Sequence, residues 1–412
     1  MPNKPMDQMV STESLLEQFN RSRKYSTELI AGLSPEDCQA QSMEDASPAK
    51  WHVAHVTWFY EVMVLKPFEK EFQYWNPQFA ILFNSYYNSV GDKHPRNKRG
   101  LLTRPSLLEV MEWRNNIDDR VNRLLKENSA PELLWLIQLG IAHEQQHQEL
   151  LLTDIQHLLS ENSLSPSYST DTPNQSSGPS PHQWVEGSSG MVEIGFKGSG
   201  FHFDNEGPAH STFNQPHYIS SQLVSNGQWL RFIESGGYQE SQWWLDAGWA
   251  WAKAEQITTP LYWYKNKNNQ YSRFSLNGMT PLDPHLPVSN ISYFEADAFA
   301  RWASQHLDGF TGARLPTEFE WETFAKAKVD LAQDLFGKVW QWTSSNYNAY
   351  PAYQAWAGIA GEYNGKFMVN QMVLRGSSAY TPAEHSRFTY RNFFPTHARW
   401  QMTGLRLAKD GV

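Results

Sequence analysis

Cysteine is nearly absent from this sequence. Cys38 is the one cysteine among 412 residues, so no disulfide can form within the chain. Small secreted proteins commonly depend on disulfides, whereas proteins of a reducing compartment do not. We therefore predict a cytoplasmic location.

Blocks of basic residues and long hydrophobic runs are also absent. The formal net charge is −9, because 43 acidic residues outnumber 34 lysines and arginines. Nucleic acid and anionic membranes are therefore not expected as partners. No run approaches the roughly 18 apolar residues of a membrane-spanning helix, and residues 1–10 lack the apolar core of a signal peptide. We expect small-molecule partners, and no feature of the sequence indicates an oligomeric state.

Aromatic residues, in contrast, are abundant. They make up 14% of the chain and include 18 tryptophans, which predicts buried indoles or aromatic-lined pockets. The length exceeds that of one ordinary domain, so two or three domains are expected.

Residues 11–160 are predicted to be helical. Helix-start signals occur at Ser11-Thr12, Ser47-Pro48, Pro105-Ser106 and Pro131-Glu132, with Ser47 expected as an N-cap. The resulting helices of about 15 to 28 residues predict a four-helix bundle, a fold that commonly carries metal ligands in its interior.

The character of the chain changes after the predicted bundle. Residues 161–183 are rich in Ser, Pro, Thr, Asn and Gly, and they are predicted to form a flexible linker. Residues 184–412 have short apolar runs with frequent Gly and Pro, which predicts an irregular α+β domain. Short helices are expected there at Ser225–Glu234, Phe294–His306 and Thr317–Lys326.

The most informative motif is the pair His143 and His147. The segment Leu133–Leu159 is apolar at helical spacing, so the two imidazoles share one face of a helix and can hold one metal ion. Such a pair is weak by itself, but unpaired imidazoles among apolar residues would be poorly solvated. A third ligand comes from His52 or His55, and periodicity does not decide between them. Three histidines without a carboxylate ligand would leave positions open for substrate and oxygen.

Two tyrosines and two arginines lie in the segment after the second predicted helix. Tyr86 and Tyr87 are adjacent, and Arg96 and Arg99 follow. The simpler interpretation is a turn with packed phenols. The functional interpretation is a loop that covers the metal, in which a phenol donates a proton and the arginines hold a substrate carboxylate with forked hydrogen bonds.

A third group lies near the C-terminus, where Asn392 precedes Phe393 and Phe394. The simpler interpretation is a domain core with structural arginines around it. Alternatively, aromatic rings beside an amide can form a cage for a quaternary ammonium group, because ring faces attract a diffuse cation.

Taken together, these motifs resemble the ergothioneine-biosynthesis sulfoxide synthases. In that family a DinB-like four-helix bundle is fused to a formylglycine-generating-enzyme-like domain, also called sulfatase-modifying-factor or C-type-lectin-like. The resemblance covers nearly the whole chain. The segments that carry it are Trp51–Tyr60, Asn84–Arg104, His143–Glu149, Phe203–Glu206, Arg314–Glu318, Gly361–Lys366 and Tyr390–Leu407.

The resemblance implies a mononuclear non-haem Fe(II) on His55, His143 and His147. It also implies an oxygen-dependent reaction that forms a C–S bond between hercynine (Nα-trimethylhistidine) and a small thiol, cysteine or γ-glutamylcysteine, and yields a sulfoxide. Gln146 is our candidate for hydrogen bonding the substrate imidazole. Tyr86 or Tyr87 would be the acid.

The resemblance also implies a role for residues of the C-terminal half. Asn392, Phe393 and Phe394 would receive the betaine end of hercynine.

A synthase that uses a selenium donor, or histidine instead of hercynine, is an alternative. Another is a DinB-like thiol S-transferase, which has three histidines but a redox-inert metal and lacks such a C-terminal half. Formylglycine generation is excluded, because its copper site requires paired cysteines and this chain has only Cys38.

Overall fold

The protein is described here by a computed structural model that covers residues 11–169 and 182–411. Most of the predicted linker, residues 170–181, therefore lies outside the described residues. None of the described helices has the length and apolar character needed to span a membrane.

The described residues form two compact units. The first comprises residues 11–164 with two short segments from later in the chain, Gly198–His202 and Ala355–Tyr363. The second comprises the remaining described residues. The two short segments come from the part of the sequence assigned above to the C-terminal domain, and the predicted domain limits stay a prediction.

The first unit is helical, and its long helices pack around one apolar core. Helix α1 packs against α6 and α7, and α3 packs against the same two helices. The α-helices of this unit are α1 (Thr12–Ile30), α2 (Pro35–Gln39), α3 (Ala49–Phe59), α4 (Lys66–Phe68), α5 (Phe79–Leu82), α6 (Leu107–Glu127) and α7 (Pro131–Ser160), with a π-helical turn at Tyr60–Leu65 and 3₁₀ turns at Arg96–Leu101 and Gly358–Glu362.

The helix starts follow local capping chemistry. The Ser11 hydroxyl accepts a hydrogen bond from the Ser14 N–H, and Ser106 and Glu109 form a capping box at the start of α6. The prediction that Ser47 caps α3 is wrong. Pro48 occupies the N-cap without a side-chain cap, because the Ser47 hydroxyl accepts a hydrogen bond from Arg99 instead.

Helix α3 continues directly into the π-helical turn Tyr60–Leu65, and a glycine of α7 lies against this junction. A Cβ atom added to Gly140 would lie 2.6 Å from Cε1 of Tyr60 and 3.1 Å from Cε1 of Phe59. Glycine therefore permits the close approach of α7 to the end of α3. This approach matters because Gly140 lies three residues before His143.

The second unit consists of small sheets and short helices. Its sheets have the strand orders β1-β4-β13-β8, β11-β10-β9-β12, β2-β3 and β5-β6-β7. The strands are β1 (Trp184–Glu186), β2 (Gly190–Ile194), β3 (His210–Asn214), β4 (His217–Leu223), β5 (Trp263–Lys265), β6 (Tyr271–Ser275), β7 (Gly278–Pro281), β8 (Ala313–Arg314), β9 (Trp340–Asn346), β10 (Gln371–Gly376), β11 (Asn392–Pro395), β12 (Thr403–Gly404) and β13 (Arg406–Asp410).

Three of the described α-helices of the second unit begin within one residue of a predicted start. The α-helices are α8 (Asn226–Glu234), α9 (Asp246–Ala254), α10 (Tyr293–His306) and α11 (Glu318–Lys328), and the 3₁₀ turns are Asp204–Glu206, Ser241–Trp243, Val329–Leu331, Gly365–Phe367 and Ala383–His385. Capping boxes start α8 at Ser225, α10 at Ser292 and α11 at Thr317. Helix α9 was not predicted.

Buried aromatic side chains form much of the core of the second unit, as its composition predicts. The rings of Trp229 on α8 and Phe299 on α10 stack with centroids 4.8 Å apart. Phe232 and Trp302 pack edge to face beside them, with centroids 5.5 Å apart. These contacts join α8 to α10 through burial of large rings.

Candidate metal centre

Three imidazoles converge inside the helical unit. His55 lies on α3, and His143 and His147 lie one turn apart on α7. Their ligand-capable nitrogen atoms all lie within 4.8 Å of one another. His55 and His143 are buried, and His147 is partly exposed.

The nitrogen atoms of this group fit a metal ion. Nδ1 of His55 lies 2.6 Å from the carbonyl oxygen of Phe83, to which it donates, so its Nε2 carries a lone pair. That Nε2 atom and both ring nitrogens of His143 are buried and have no hydrogen-bond partner among the described residues. A buried polar atom without a partner costs about 1–3 kcal/mol, and coordination of a shared ion would remove this cost.

Burial also keeps these imidazoles neutral. It lowers the pKa of His143 to about 3 and holds the pKa values of His55 and His147 well below the ordinary value. A neutral imidazole has the lone pair that a metal requires. The group is therefore ready to bind a cation at neutral pH.

The carboxylate nearest in sequence faces away from the group. Glu144 accepts hydrogen bonds of 2.6 Å from Ser26 and Arg114 and of 3.0 Å from Arg23. Because the Arg114 and Arg23 guanidiniums and the Ser26 hydroxyl hold it, the pKa of Glu144 falls to about 2 despite its burial. Within the described residues, no Asp, Glu or Cys joins the three histidines as a ligand.

The two candidate histidines of α3 have different surroundings. His55 belongs to the group of three. Nδ1 of His52 instead lies 2.8 Å from Nδ1 of His147, and its Nε2 lies 3.0 Å from a carboxylate oxygen of Asp154. His52 therefore contacts His147 from outside the group of three.

Aromatic rings form a wall around the three histidines. The Trp51 ring stacks on the ring of His55 with centroids 4.7 Å apart, and Trp58 stacks on the same ring at 5.4 Å. Phe59 lies 4.7 Å from His143. These rings restrict the imidazoles to one orientation.

The two predicted arginines differ in environment. Arg99 is buried, stacks on Trp51, and donates hydrogen bonds to the hydroxyls of Ser47 at 2.9 Å and Ser85 at 3.1 Å. Arg96 is exposed and donates to the backbone carbonyl of Asp45. Only Arg99 is therefore placed beside a residue that contacts the histidine group.

The two predicted tyrosines are stacked on each other, with ring centroids 4.6 Å apart and hydroxyl oxygens 3.5 Å apart. Tyr87 is fully buried behind Trp58, and burial raises its pKa well above the ordinary value. Tyr86 is half-buried and lies 6.5 Å, centroid to centroid, from a third tyrosine, Tyr363.

Tyr363 is the functional candidate that residue-level reasoning missed. Its ring lies 5.9 Å from that of His143, and its hydroxyl donates a hydrogen bond to the side-chain oxygen of Gln146. The only signal in the sequence was the family motif Gly361–Lys366, to which no role was assigned. The neighbouring Glu362 carboxylate accepts from the backbone N–H groups of Asn88 and Ser89, at 2.9 and 2.8 Å.

The predicted betaine residues lie on β11 of the second unit. The Phe393 ring stacks on Tyr347 with centroids 4.0 Å apart. The side-chain oxygen of Asn392 accepts from the Phe393 N–H at 2.9 Å. Phe394 lies 6.4 Å from Trp400. All three residues are half-buried, and their role in binding stays a prediction.

Two family models match different parts of the chain. Residues 18–151 match the DinB superfamily, and residues 171–330 match the sulfatase-modifying factor enzyme 1-like domain. The chain is 26% identical to a hercynine oxygenase of Mycolicibacterium thermoresistibile, over 88% of this chain and 87% of that relative. It is 30% identical to the hercynine oxygenase of Mycobacterium tuberculosis, over 50% of this chain and 56% of that relative.

The chain is a homologue of the hercynine oxygenases. This confirms the predicted resemblance and the predicted fold class, a DinB-like bundle with a formylglycine-generating-enzyme-like domain. The comparisons also favour the predicted oxygenase over an S-transferase.

Similarity to formylglycine-generating enzymes is limited to part of the chain. The enzyme of Thermomonospora curvata is 27% identical over 53% of this chain. Cys38 is buried in α2 of the helical unit, and burial raises the pKa of its thiol to about 11. A lone, protonated thiol does not form the paired thiolate site that this activity requires.

Proposed function

We propose that this chain is a hercynine oxygenase of the sulfoxide synthase type, which joins the sulfur of cysteine or γ-glutamylcysteine to hercynine with the use of O₂. The observation that supports it most directly is the group of three neutral, converging imidazoles, which no carboxylate of residues 11–169 and 182–411 joins. The similarity to hercynine oxygenases over 88% of the chain supports it independently.

His55, His143 and His147 would hold the metal, which we propose is Fe(II). Iron held by these three residues would supply one-electron chemistry and open positions for a thiolate, an imidazole and O₂. The aromatic wall of Trp51, Trp58 and Phe59 keeps the ligands oriented and limits the access of water.

The thiol substrate carries a carboxylate, and Arg99 is our candidate to bind it. Its guanidinium is buried and forms no ion pair within the described part of the chain, and it donates hydrogen bonds to the Ser47 and Ser85 hydroxyls. Burial lowers its pKa to about 9, so it remains charged at neutral pH. A buried cation paired only with neutral groups favours an anionic ligand. Arg96, which is exposed, would contribute less.

Gln146 and Tyr363 are proposed to act together on the acceptor substrate. The hydrogen bond from the Tyr363 hydroxyl fixes the orientation of the Gln146 amide. Gln146 directly precedes the ligand His147, so its amide can orient an imidazole bound at the same centre. Holding both reactants in place makes the coupling effectively intramolecular.

A phenol is proposed as the proton donor, and the surroundings rank the candidates. Tyr363 lies beside His143, and Tyr86 lies beside Tyr363. Tyr87 is separated from His55 by Trp58. We therefore favour Tyr363 or Tyr86 as the group that delivers the proton and assign Tyr87 to supporting Tyr86.

Asn392, Phe393 and Phe394 are proposed to bind the trimethylammonium end of hercynine. Quaternary ammonium groups bind against aromatic faces with about 0.5–2 kcal/mol per contact. The stacking of Phe393 on Tyr347 fixes that ring, which would reduce the entropic cost of forming a cage.

The proposed function can be tested by anaerobic loading of the protein with Fe(II), followed by mass analysis of products from hercynine, O₂ and each thiol. We expect one iron per chain and a product containing both substrates and oxygen at sulfur. His143→Ala should lose iron and product together, whereas His157→Ala, on the same helix but outside the group, should retain both. Wild-type oxygen consumption by His143→Ala would contradict the proposal. Product formation without O₂ on a zinc-loaded protein would instead indicate an S-transferase.

A further inference from the structure

A series of hydrogen bonds connects the proposed ligand His147 to His52 and Asp154. Its Nδ1 atom lies 2.8 Å from Nδ1 of His52, and Nε2 of His52 lies 3.0 Å from Oδ2 of Asp154. The same carboxylate oxygen accepts a hydrogen bond of 2.7 Å from the Ser47 N–H. His52 and Asp154 are both buried. His52, Asp154 and Ser47 lie outside the group of His55, His143 and His147.

The order of donors in this chain determines where the protons lie. A carboxylate can only accept, so Nε2 of His52 must carry the hydrogen that faces Asp154. In a neutral imidazole the other nitrogen, Nδ1, is then an acceptor. It therefore faces an N–H on Nδ1 of His147, and this leaves the Nε2 of His147 with a free lone pair.

The opposite order is unfavourable. If Nδ1 of His52 carried the hydrogen, its Nε2 lone pair would face the Asp154 oxygen at 3.0 Å, and two acceptors would repel each other. His147 would then carry its hydrogen on Nε2 and could not ligate through that atom. When His52 is neutral, the side-chain order Asp154–His52–His147 thus selects one of the two tautomers of His147.

We propose that His52 and Asp154 are positioning residues that hold His147 in the Nδ1–H tautomer and thereby prepare its Nε2 to bind the metal. The proposal rests on the metal-binding role of His147 stated above. Hydrogen bonds from a ligand histidine to an outer partner commonly change metal affinity by about 10–100-fold. His55 has the equivalent support from a backbone carbonyl, that of Phe83, whereas His147 depends on side chains that mutation can remove.

The anchoring of Asp154 explains how the order is maintained. Ser47 directly precedes the N-cap Pro48 of α3, and its N–H fixes the carboxylate oxygen that also binds His52. Asp154 is on α7 and His52 is on α3. The hydrogen bonds of Asp154 therefore join α3 to α7, the two helices that supply the proposed ligands. In each of these bonds Asp154 can only accept, so the direction of donation is fixed.

The tautomer can be measured without metal or turnover. In metal-free protein with ¹⁵N-labelled histidine, long-range ¹H–¹⁵N correlation spectra distinguish Nδ1–H from Nε2–H, and His147→Gln assigns the signal. We expect Nδ1–H at His147 in the wild-type protein and a mixture in His52→Phe, which has no acceptor. In the same variant, Fe(II) affinity measured by anaerobic chelator competition should fall about 10–100-fold.

Conservative variants separate positioning from packing. His52→Gln offers an oxygen to the Nδ1–H of His147 and should recover most of the affinity lost in His52→Phe. Asp154→Asn can still accept from Ser47 and His52 through its amide oxygen, whereas Asp154→Leu cannot, so only the latter should mix the tautomers. The visible bands of Co(II)-loaded protein should shift with the tautomer. His157→Phe, on the same helix as His147, controls for the loss of a histidine from α7.

The outcomes distinguish this inference from the proposed function. An Nε2–H signal at His147 in the wild-type protein, or equal Fe(II) affinity in His52→Phe and the wild type, would overturn the positioning role even if the protein forms the sulfoxide. An Nδ1–H signal in a protein that binds no iron would uphold the tautomer and contradict the proposed function. If His52→Phe fails to fold, the Asp154→Asn and Asp154→Leu pair decides.

Discussion

The guanidinium carbon of Arg99 lies 3.3 Å from the centre of the Trp51 ring, and the same indole stacks on the ring of His55. A buried cation is thus joined to a proposed metal ligand through one aromatic ring. A stacked guanidinium retains in-plane donors that a carboxylate can reach, which a lysine in its place would not reproduce.

We predict that Arg99 recognises the carboxylate of the thiol substrate. In the wild-type protein, cysteine should be a better substrate than cysteamine, which lacks the carboxylate. In Arg99→Met the kcat/KM for cysteine should fall by about 10–100-fold, the scale of a charge-assisted hydrogen bond of 1.5–3 kcal/mol. The value for cysteamine should change much less, so the variant loses discrimination between the two thiols.

Arg96→Met provides the matched control, because Arg96 is exposed and bonded to a backbone carbonyl. It should leave the preference for cysteine nearly intact. If Arg99→Met reduced the rates with both thiols by the same factor, Arg99 would support Trp51 and not bind the substrate.

We predict that the three tyrosines differ in their effect on the product. Tyr363→Phe removes the hydroxyl that bonds to Gln146, and Tyr86→Phe removes the hydroxyl of the partly exposed ring beside it. At least one of them should divert products away from the sulfoxide while O₂ consumption continues. Tyr87→Phe removes only a 3.5 Å contact to Tyr86, so its product ratio should remain close to that of the wild type.

The measurement is the ratio of sulfoxide to other oxidised thiol products at a fixed amount of consumed O₂. Unchanged ratios in Tyr86→Phe and Tyr363→Phe would remove the acid role from both phenols. A large change in Tyr87→Phe alone would reverse the ranking that the burial of Tyr87 suggests.

We predict that Gly140→Ala disrupts the approach of α7 to α3. The new methyl group would lie 2.6 Å from the buried Tyr60 ring, and overpacking of this kind costs about 1–3 kcal/mol. Because Phe59 contacts both this site and His143, Fe(II) affinity should fall as well. Denaturant unfolding and chelator competition measure the two effects.

Gly32→Ala is the control, since no atom lies within 4 Å of the Cβ that it would add. It should change the free energy of unfolding by no more than about 0.5 kcal/mol. A Gly140→Ala protein as stable as the wild type would mean that the end of α3 repacks freely.

The sequence was most informative where local chemistry and periodicity agree. The starts of α1, α6 and α7 carry a cap or a proline at the first turn, and the predicted and observed starts coincide. Ser47 has the same local signal, but its hydroxyl binds Arg99 and its N–H binds Asp154. Tertiary partners distant in sequence override a local cap, and no local pattern reveals them.

In the candidate site, too, some residues can be predicted from local spacing and others only from the fold. His143 and His147 lie four residues apart on one helix, so spacing alone could group them. The choice of His55 over His52 depends on how α3 is rotated against α7, which periodicity within a uniformly buried helix does not encode. Tyr363 lies 216 positions after His147 in sequence number, and only the fold brings it to His143.

The burial of the three histidines predicts a specific pH dependence for the metal-free protein. The pKa of His143 is about 3 in the folded chain, against an ordinary value of 6.5. As the pH falls below 6.5, the unfolded chain binds a proton at this residue and the folded chain does not. The free energy of unfolding should therefore decrease by about 1.4 kcal/mol per pH unit for each such histidine, and this contribution vanishes above the ordinary value.

Replacement of one histidine isolates this contribution. Between about pH 5.5 and about pH 4, the stability of chelator-treated His143→Leu should fall less steeply than that of the wild type, by about 1.4 kcal/mol per pH unit. Leu151→Met, a buried apolar change on the same helix, alters no titratable group and should leave the slope unchanged. Denaturant unfolding at several pH values measures all three slopes. Equal slopes in His143→Leu and the wild type would mean that His143 binds protons in the folded protein, and then it would not be the desolvated, lone-pair-bearing ligand that the metal site requires.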